Sequence, residues 1–580
     1  MRFRRAFACL SAAAAMLVLS GCGGAPLHKA VVEDTSVDVA WRGALTSVAQ
    51  PLSPGDDDIA QLTRAQFARV EQGAVAEDQS FGTARILDES EGTMTVRYDL
   101  AEPRWSDGIP LDGADLMLAW AAAAHPGDDG FETAESGLVG SEIPTYDEFE
   151  RRIDVTFDGT AADWQTALQV MTPAHIVGEL AFGIDDPMAA KQAVIEAIER
   201  DDLAELASTF TSAFEISARF PASDERLLAS GPYRIESITG DAQEGEQVVT
   251  LIANREFTGE VAGAFERIVF HQDGASDVFD RIGAEYDVAQ LPVSEADFVQ
   301  VRDLERDDYG MATTGGGELW ALLARSDTWP FRDADARTAF LRSIPRTDIV
   351  AQVAGDWASA YESAAAVSLA PGDAGYDIAV EDSGIMAQLE PAQDPAALRK
   401  SAGVPENTVV CILYDTDEAF ARGAFASMKK SLDEAGWTAR DCGSDEPDDV
   451  IEVGGAYDAV LTRIDLPETP ADLARQWGSG DGNPTQNVSD ERDALIERLR
   501  TVTDPYDRRD IRIAIEADIV GQRIALPIAT DPVVIVSSRD VQAVQAVSGR
   551  PGALATDPLS WVPAGVAPPA GGAGTGQSGS

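Results

Sequence analysis

The sequence predicts a mixed α/β protein with more than one domain. Residues 93–120 have the pattern of a strand, a sharp turn and a capped helix, and residues 408–442 that of a strand, a helix and a second strand. Alternating strands and helices are typical of sheets with helices on their faces. The chain has 580 residues, of which 44% are hydrophobic. It is therefore long and apolar enough to form two or three domains.

The N-terminus has the pattern of an export signal. Three arginines precede an apolar run from Ala6 to Leu19, which is too short to span a bilayer as a mature helix. The run ends in Leu19-Ser-Gly-Cys22, which resembles the site of cleavage and lipid attachment in bacterial lipoproteins. We predict that residues 1–21 are a signal peptide, that Cys22 carries the lipid and that residues 22–30 form a tether. The alternative is an ordinary secreted protein.

The charge argues against a nucleic-acid partner, and the spacing of the histidines argues against a metal site. The formal net charge is −55, and the predicted signal peptide removes three arginines and no acids. A polyanion would be repelled, so we expect no nucleic-acid partner. The four histidines lie far apart in the sequence without the spacing of metal ligands, so we predict no metal and no cofactor.

The stretch around residue 100 gives the clearest local prediction. Apolar and polar residues alternate from Thr93 to Leu100, which indicates a strand with one buried face. Residues 84–87 are expected to form its hairpin partner. After a turn at residues 106–110, Asp112 is placed to cap a helix that begins at Gly113.

Four groups of residues, in order along the chain, resemble family 5 extracellular solute-binding proteins, the peptide, dipeptide and nickel receptors of ABC importers. Trp105-Ser-Asp-Gly-Ile-Pro110 with Asp115 resembles the W-x-D-G-x-P signature of that family. Ser230-Gly-Pro-Tyr-Arg-Ile235, with a strand that ends at Asn254, resembles its second motif. Residues 329–350 and 457–496 resemble motifs of its second lobe.

The resemblance implies an α/β, two-lobed periplasmic-binding-protein-like fold of class II, with an extra subdomain, mixed sheets flanked by helices and two hinge crossings. The implied divisions are lobe I at 31–50, 165–270 and 531–562, its subdomain at 51–164, and lobe II at 271–530. Independently of the resemblance, the Ala, Gly, Pro and Ser content of residues 563–580 predicts a disordered tail. The crossings are expected near His271 and Thr530. Residues 524–528 and 533–536 are expected to be two returning strands, and Gly315-Gly-Gly317 a turn.

The resemblance also implies site residues. Tyr457-Asp-Ala-Val-Leu-Thr-Arg-Ile-Asp465 resembles the strand and loop whose first acid pairs with the α-ammonium group of a bound oligopeptide, so Asp465 is predicted to bind ligand. Trp320 is a candidate for stacking on the ligand, with a place in the core as the alternative. His175 lies in a segment like P-x-H of the family and is expected to be structural.

The two cysteines of the mature chain after Cys22 are candidates for a disulfide. Cys411 lies in a predicted strand, and Cys442 ends the next strand after a predicted helix at 417–435. Such a unit often places its two strands parallel and adjacent. Outside the cytoplasm, we therefore predict a bond between Cys411 and Cys442.

The sequence as a whole predicts a receptor and not an enzyme. We expect a monomer, lipid-anchored on the extracytoplasmic face of the cell membrane, that closes two lobes around an oligopeptide and delivers it to ABC permease subunits. A sensory or scaffolding lipoprotein with the same fold is the alternative, and a secreted hydrolase is disfavoured because the motifs G-x-S-x-G and H-E-x-x-H are missing. A sugar or an opine-like ligand stays open.

Overall fold

The computed structural model of the protein describes residues 26–566 except 72–73, 91, 128–129, 134–135, 147–150, 217–223, 372, 374, 383, 468, 481 and 548–552. The predicted signal peptide, the predicted lipidation site at Cys22 and residues 567–580 of the predicted tail lie outside the described residues. Within them, no helix is both long enough and apolar enough to cross a membrane.

The chain is a mixed α/β protein, as predicted. The strands are β1 (Val32–Trp41), β2 (Ala68–Glu71), β3 (Ala74–Glu77), β4 (Gly82–Ser90), β5 (Thr93–Leu100), β6 (Thr145–Tyr146), β7 (Arg152–Asp158), β8 (Tyr233–Thr239), β9 (Val248–Ala253), β10 (Phe265–Gln272), β11 (Val288–Pro292), β12 (Gly310–Ala324), β13 (Thr408–Tyr414), β14 (Trp437–Asp441), β15 (Ala459–Asp465), β16 (Ala525–Ser537), β17 (Val541–Gln542) and β18 (Val562–Pro563).

Helices flank the sheets. They are α1 (Pro54–Thr63), α2 (Gly113–Ala124), α3 (Ala174–Phe182), α4 (Pro187–Glu199), α5 (Ala204–Ala213), α6 (Phe298–Arg306), α7 (Ala334–Leu341), α8 (Arg346–Val353), α9 (Tyr376–Asp382), α10 (Ile385–Leu389), α11 (Pro395–Ser401), α12 (Ala419–Glu434), α13 (Pro447–Glu452), α14 (Pro470–Trp477), α15 (Asp490–Thr501) and α16 (Pro505–Gly521). Short 3₁₀ helices lie at Glu225–Leu227, Val278–Asp280, Gly355–Trp357 and Pro558–Ser560.

One ten-stranded sheet runs through the molecule in the order β14-β13-β15-β12-β16-β11-β1-β10-β9-β8. β12 and β16 are its two long strands and pair antiparallel to each other. The C-terminal half of β16 pairs with β11, and the C-terminal half of β12 pairs with β15. The two strands therefore belong to both halves of the sheet.

The connections between the two halves of the sheet differ in detail from the crossings expected near His271 and Thr530. After His271, β11 still pairs with β1, so the chain first leaves that half of the sheet through β12. The two strands expected at 524–536 form one continuous strand, β16. The three glycines at 315–317 lie inside β12, at a register shift, with Gly317 at a φ of +90°. They form an irregularity within a strand instead of a separate turn, since a glycine tolerates that dihedral angle.

The described residues form three hydrophobic clusters. The first packs residues of the predicted lobe I and its subdomain together, so Val96 and Ile268 share one core. The second and third consist mainly of residues between 278 and 536. This grouping is compatible with the division proposed from the resemblance, although the ends of the lobes stay a prediction.

The local prediction around residue 100 is confirmed. β5 spans Thr93–Leu100 and pairs with β4 in a hairpin. Asp112 caps α2, whose first residue is Gly113, and the side chain of Asp115 bonds back to the backbone of Asp112. β5 and α2 belong to the subdomain, where the second sheet has the order β4-β5-β7-β6.

Cys411 lies on β13 and Cys442 directly follows β14, the adjacent parallel strand, in which Arg440 pairs with Cys411. The sulfur atoms of the two cysteines are at bonding distance, 2.08 Å, across a sequence separation of 31 residues.

We expect intact-mass analysis of the exported protein to show two hydrogens fewer than the reduced chain. Cys442→Ser should lower the free energy of unfolding by about 2–4 kcal/mol, since the closed loop restricts the unfolded chain. Equal stability under reducing and oxidising conditions would contradict this.

Candidate functional site

The sheet topology defines a cleft between its two halves. β1, β10 and β11 run parallel and end at one edge of the first half. β13, β14 and β15 also run parallel to one another. Three antiparallel steps, from β11 to β16, to β12 and to β15, separate the two groups, so β15 runs in the opposite direction to β11. Both groups of carboxyl ends therefore point towards the middle of β12 and β16. In open α/β sheets, ligands bind outside the carboxyl ends of the strands.

An arginine lies at the centre of the second half of this cleft. Arg463 Nη2 lies 2.8 Å from Glu418 Oε1, and Arg463 Nη1 lies 3.4 Å from Asp531 Oδ2 and 3.8 Å from Glu318 Oε2. The four residues come from β15, the N-terminus of α12, β16 and β12. One guanidinium thus faces three carboxylates, which leaves an excess of negative charge.

Trp320 fixes one of these carboxylates. Its indole Nε1 donates to Asp531 Oδ1 at 2.9 Å, and the side chain is only 3% exposed. One side of the indole stacks on Phe420, with 4.9 Å between centroids, and the guanidinium of Arg463 lies 5.6 Å from its ring centroid. Since both contacts are within the protein, Trp320 does not offer a free aromatic face to the cleft.

Burial changes the protonation of the cluster. It raises the pKa values of Glu318, Glu418 and Asp531, and the nearby Arg463 only partly counteracts this effect. Repulsion by other carboxylates adds to the increase, from Asp531 for both Glu318 and Glu418, and from Glu295 for Asp531. A cation in the cleft would therefore stabilise the ionised forms and lower these pKa values.

Asp465 lies at the open end of the cluster. It is the last residue of β15 and pairs with Glu318 of β12. Its side chain is exposed, and its backbone carbonyl accepts a bond of 3.1 Å from the side-chain amide of Gln476. Within the described part of the chain, its carboxylate takes part in no hydrogen bond or ion pair. The structure thus brings Asp465 together with the charged cluster.

The first half of the sheet contributes a second arginine. Arg42 follows β1, and its Nη2 lies 2.9 Å from Oε2 of Glu295, just beyond β11. The charge of Glu295 also contributes to the raised pKa values of Glu418 and Asp531. Glu295, beyond the end of β11, is therefore close enough to act electrostatically on two carboxylates of the cluster around Arg463.

A further contact joins the two halves away from β12 and β16. The backbone N–H of Ala162, in the predicted subdomain, donates to the carbonyl of Arg500 at 2.8 Å. The carbonyl of Ala162 accepts from Arg508 Nη1 at 2.5 Å. Thr160 donates to the carbonyl of Thr501. Separation of the two halves would break these bonds between the subdomain and the α15–α16 pair.

The signature residues around Trp105 bind other parts of the protein. The buried carboxylate of Asp115 accepts from Trp105 Nε1, from the backbone of Ala174 and from Lys191 Nζ, at 3.1, 2.9 and 2.9 Å. Lys191 also lies 3.0 Å from Asp112. His175, predicted to be structural, is 3% exposed and its Nε2 lies 3.0 Å from Asp107. This signature therefore joins the subdomain to α3 and α4.

The other motifs also stabilise loops. Gly231 lies so close to Thr63 that a Cβ atom would be 2.6 Å from its carbonyl carbon, and Asn254 donates to the carbonyl of Gly231 at 2.9 Å. Asn483 is buried and donates to the carbonyls of Gly478 and Asn487. Most motif residues thus differ from the residues that line the cleft, and Arg463 and Asp465 of the motif at 457–496 are the exceptions.

Comparisons with known proteins agree with this architecture. The sequence model of "Bacterial extracellular solute-binding proteins, family 5 Middle" matches residues 72–483. The chain belongs to this family. Members of the family are solute-binding receptors and not enzymes. One relative of this family 5 protein is the uncharacterized lipoprotein Rv2585c of Mycobacterium tuberculosis, which is 27% identical over 75% of this chain and 76% of its own length.

Solved structures show the same fold. The periplasmic EDTA-binding protein EppA has a TM-score of 0.73 at 16% identity, over 94% of this chain and 98% of its own. The oligopeptide-binding protein AppA of Bacillus subtilis, in complex with a nonapeptide, has a TM-score of 0.62 at 12% identity, over 91% and 99%. NikZ of Campylobacter jejuni, in complex with Ni(L-His), has a TM-score of 0.64 at 14% identity, over 91% and 99%.

Sequence reasoning placed Asp465 and Trp320 in the region of this cleft but missed the charged residues around them. Arg463 could have been found from the period of two along β15, since it precedes Asp465 on the same face. Glu318, Glu418 and Asp531 carry no comparable signal in the sequence. In the part of the chain that the structure describes, no group of three or more His, Cys, Asp or Glu side chains could hold a metal ion.

Proposed function

We propose that the protein is a lipid-anchored extracytoplasmic receptor that encloses an oligopeptide between its lobes and delivers it to an ABC importer. The observation that carries the proposal is the charged cleft at the converging carboxyl ends, where Asp465 lies exposed beside Arg463 and its three carboxylates. The excess of carboxylates favours a ligand that brings an ammonium group, and every peptide with a free N-terminus does so.

The roles within the cleft follow from the contacts. Asp465 accepts the ammonium group of the peptide, and Arg463 holds Glu418 and Asp531 in place beside it. Trp320 is reassigned from stacking on the ligand to positioning Asp531, because its indole already contacts Phe420 and Arg463. Binding then favours the closed form through contacts made with both lobes at once.

The lipid anchor is supported by two observations. The relatives in Mycobacterium are named as lipoproteins, and Cys22 follows the pattern of a lipidation site. Fractionation of cells should place the wild-type protein in the membrane fraction, on the extracytoplasmic face.

The ligand class is tested by thermal-shift screening of residues 26–566 against di- to octapeptides, oligosaccharides and nickel chelates. A ligand that binds only the folded protein raises the melting temperature with its concentration. A shift with peptides supports the proposal. A shift with nickel chelates or oligosaccharides alone would contradict the peptide assignment, and no shift in any pool would favour a sensory or scaffolding role.

Asp465→Asn should weaken peptide binding about ten- to a hundredfold. The substitution removes one charge-assisted hydrogen bond, which contributes about 1.5–3 kcal/mol. Isothermal titration calorimetry with the peptide found in the screen measures the change. Asp445→Asn, in an exposed loop after β14, is the matched control and should bind as the wild type does. Equal affinity of the Asp465 variant and the wild type would remove Asp465 from the site.

A further inference from the structure

The predicted anchor and the cleft lie at opposite ends of β1. The first residue of β1, Val32, pairs with Phe265 at the start of β10, and Trp41, at its other end, pairs with Gln272. The cleft begins beyond Trp41. A strand of ten residues, at about 3.3 Å per residue, places roughly 30 Å between the two ends.

The chain is already fixed to the protein just after the anchor. Leu27 and Val31 pack against the first hydrophobic cluster. The ring of His28 lies 6.4 Å from that of Phe257, in the connection between β9 and β10. The backbone of Val32 donates to the carbonyl of Ala264 at 2.8 Å. Residues 27–32 therefore belong to the folded body of the predicted lobe I.

The linker between Cys22 and this folded body is short. Only residues 23–26, Gly-Gly-Ala-Pro, separate Cys22 from Leu27. A chain reaches at most about 3.3–3.6 Å per residue, so the Cα atoms of Cys22 and Leu27, five residues apart, are separated by at most about 18 Å. A lipid on Cys22 would therefore hold Leu27 close to the headgroups.

The surface beside Leu27 is formed by residues 27–31 and 254–264, which we call the anchor edge. Its exposed side chains include Val261, at 56%, together with Lys29, Arg255 and Glu260. The edge thus presents an aliphatic side chain and balanced charges, since Glu256 and Glu260 match Lys29 and Arg255, whereas acidic residues outnumber basic ones by 99 to 44 in the whole chain. Nothing in this composition opposes contact with a zwitterionic lipid surface.

We propose that the anchor edge faces the membrane, so that the cleft lies about 30 Å farther from the lipid than Leu27 does. The inference rests on the lipid anchor of the proposed function and adds an orientation to it. The partner of this surface is the bilayer itself. The short linker keeps Leu27 near the lipid and so restricts rotation of the protein above the membrane.

The test uses the full lipidated chain in phosphatidylcholine vesicles that contain a headgroup-labelled quencher lipid. A fluorophore is attached to Val261→Cys at the anchor edge or to Val453→Cys, whose native side chain is 81% exposed, beyond α13 in the second half. Cys22 carries the lipid and Cys411 is bonded to Cys442, so the introduced thiol is the one that reacts. We expect several-fold greater quenching at position 261 than at position 453.

A lengthened linker supplies the control. Twenty Gly and Ser residues inserted after Gly24 allow the protein to turn freely, since such a linker is a flexible coil. Quenching at position 261 should then fall towards that at position 453. Equal quenching at both positions with the native linker, or no effect of the insertion, would overturn the proposed orientation.

A separate flotation experiment tests whether Cys22 anchors the protein to lipid. Flotation of the wild-type chain with vesicles, and its loss in Cys22→Ala, supports the anchor on which the orientation depends. A wild-type chain that does not float overturns the anchor and the orientation together, whereas flotation with equal quenching overturns the orientation alone.

Discussion

Asp115→Ala should lower the free energy of unfolding by about 3–5 kcal/mol. The carboxylate is fully buried and pairs with Lys191, which is 2% exposed. Burial disfavours the ammonium, but the charges of Asp115 and Asp112 outweigh it and raise the pKa of Lys191. Removal of one partner leaves a buried charge poorly compensated and buried donors unpaired, which is strongly destabilising. Urea denaturation followed by fluorescence measures the change.

The matched control is Asp186→Ala. Asp186 also caps a helix, α4, but its side chain is exposed. Loss of an exposed cap costs about 1 kcal/mol. If the two variants lost the same stability, the signature aspartate would act as a helix cap alone, and the buried cluster that joins the subdomain to α4 would contribute little.

Arg463→Met should destabilise the protein in a pH-dependent manner. Burial already raises the pKa values of Glu318, Glu418 and Asp531, and the loss of the guanidinium would raise them further. A carboxylate with a raised pKa binds more protons in the folded state, so stability falls as the pH rises through that pKa. We expect a loss of about 1–3 kcal/mol at pH 8, discounted because a third of the arginine side chain is exposed.

At a pH below the ordinary carboxylate values of 3.8 and 4.5, the variant and the wild type should approach equal stability. Unfolding free energies measured from about pH 3 to pH 8 test this slope. Arg475→Met is the control, since Arg475 forms an exposed ion pair with Asp472. A loss of stability independent of pH would mean that Arg463 acts through packing and not through the carboxylates.

Local sequence signals predicted the elements that depend on nearby residues. The strand at Thr93–Leu100 and the cap at Asp112 were both predictable because alternation and capping act within a few residues. The pairing of Cys411 with Cys442 could be predicted for a similar reason, since a strand-helix-strand unit places its strands side by side.

The cleft could not be predicted in the same way because its contacts join distant parts of the chain. Trp320 and Asp531 are 211 residues apart, and Arg463 and Asp531 are 68 residues apart. The sequence predicted that Trp320 stacks on a ligand because it does not reveal that Phe420 of α12 packs against the indole. The family resemblance indicated where in the sequence the site lies. Only the structure shows which side chains contact one another there.

The link between Cys411 and Cys442 has a consequence for the order of events in biogenesis. β14 is the last strand at one edge of the ten-stranded sheet, and an unprotected edge strand is prone to pair with other chains. The bond that secures β14 to β13 forms only in an oxidising compartment. While the chain is still in the cytoplasm, the disulfide that holds this edge strand is absent. The chain thus remains easier to unfold before secretion and becomes harder to unfold once it has left the cell interior.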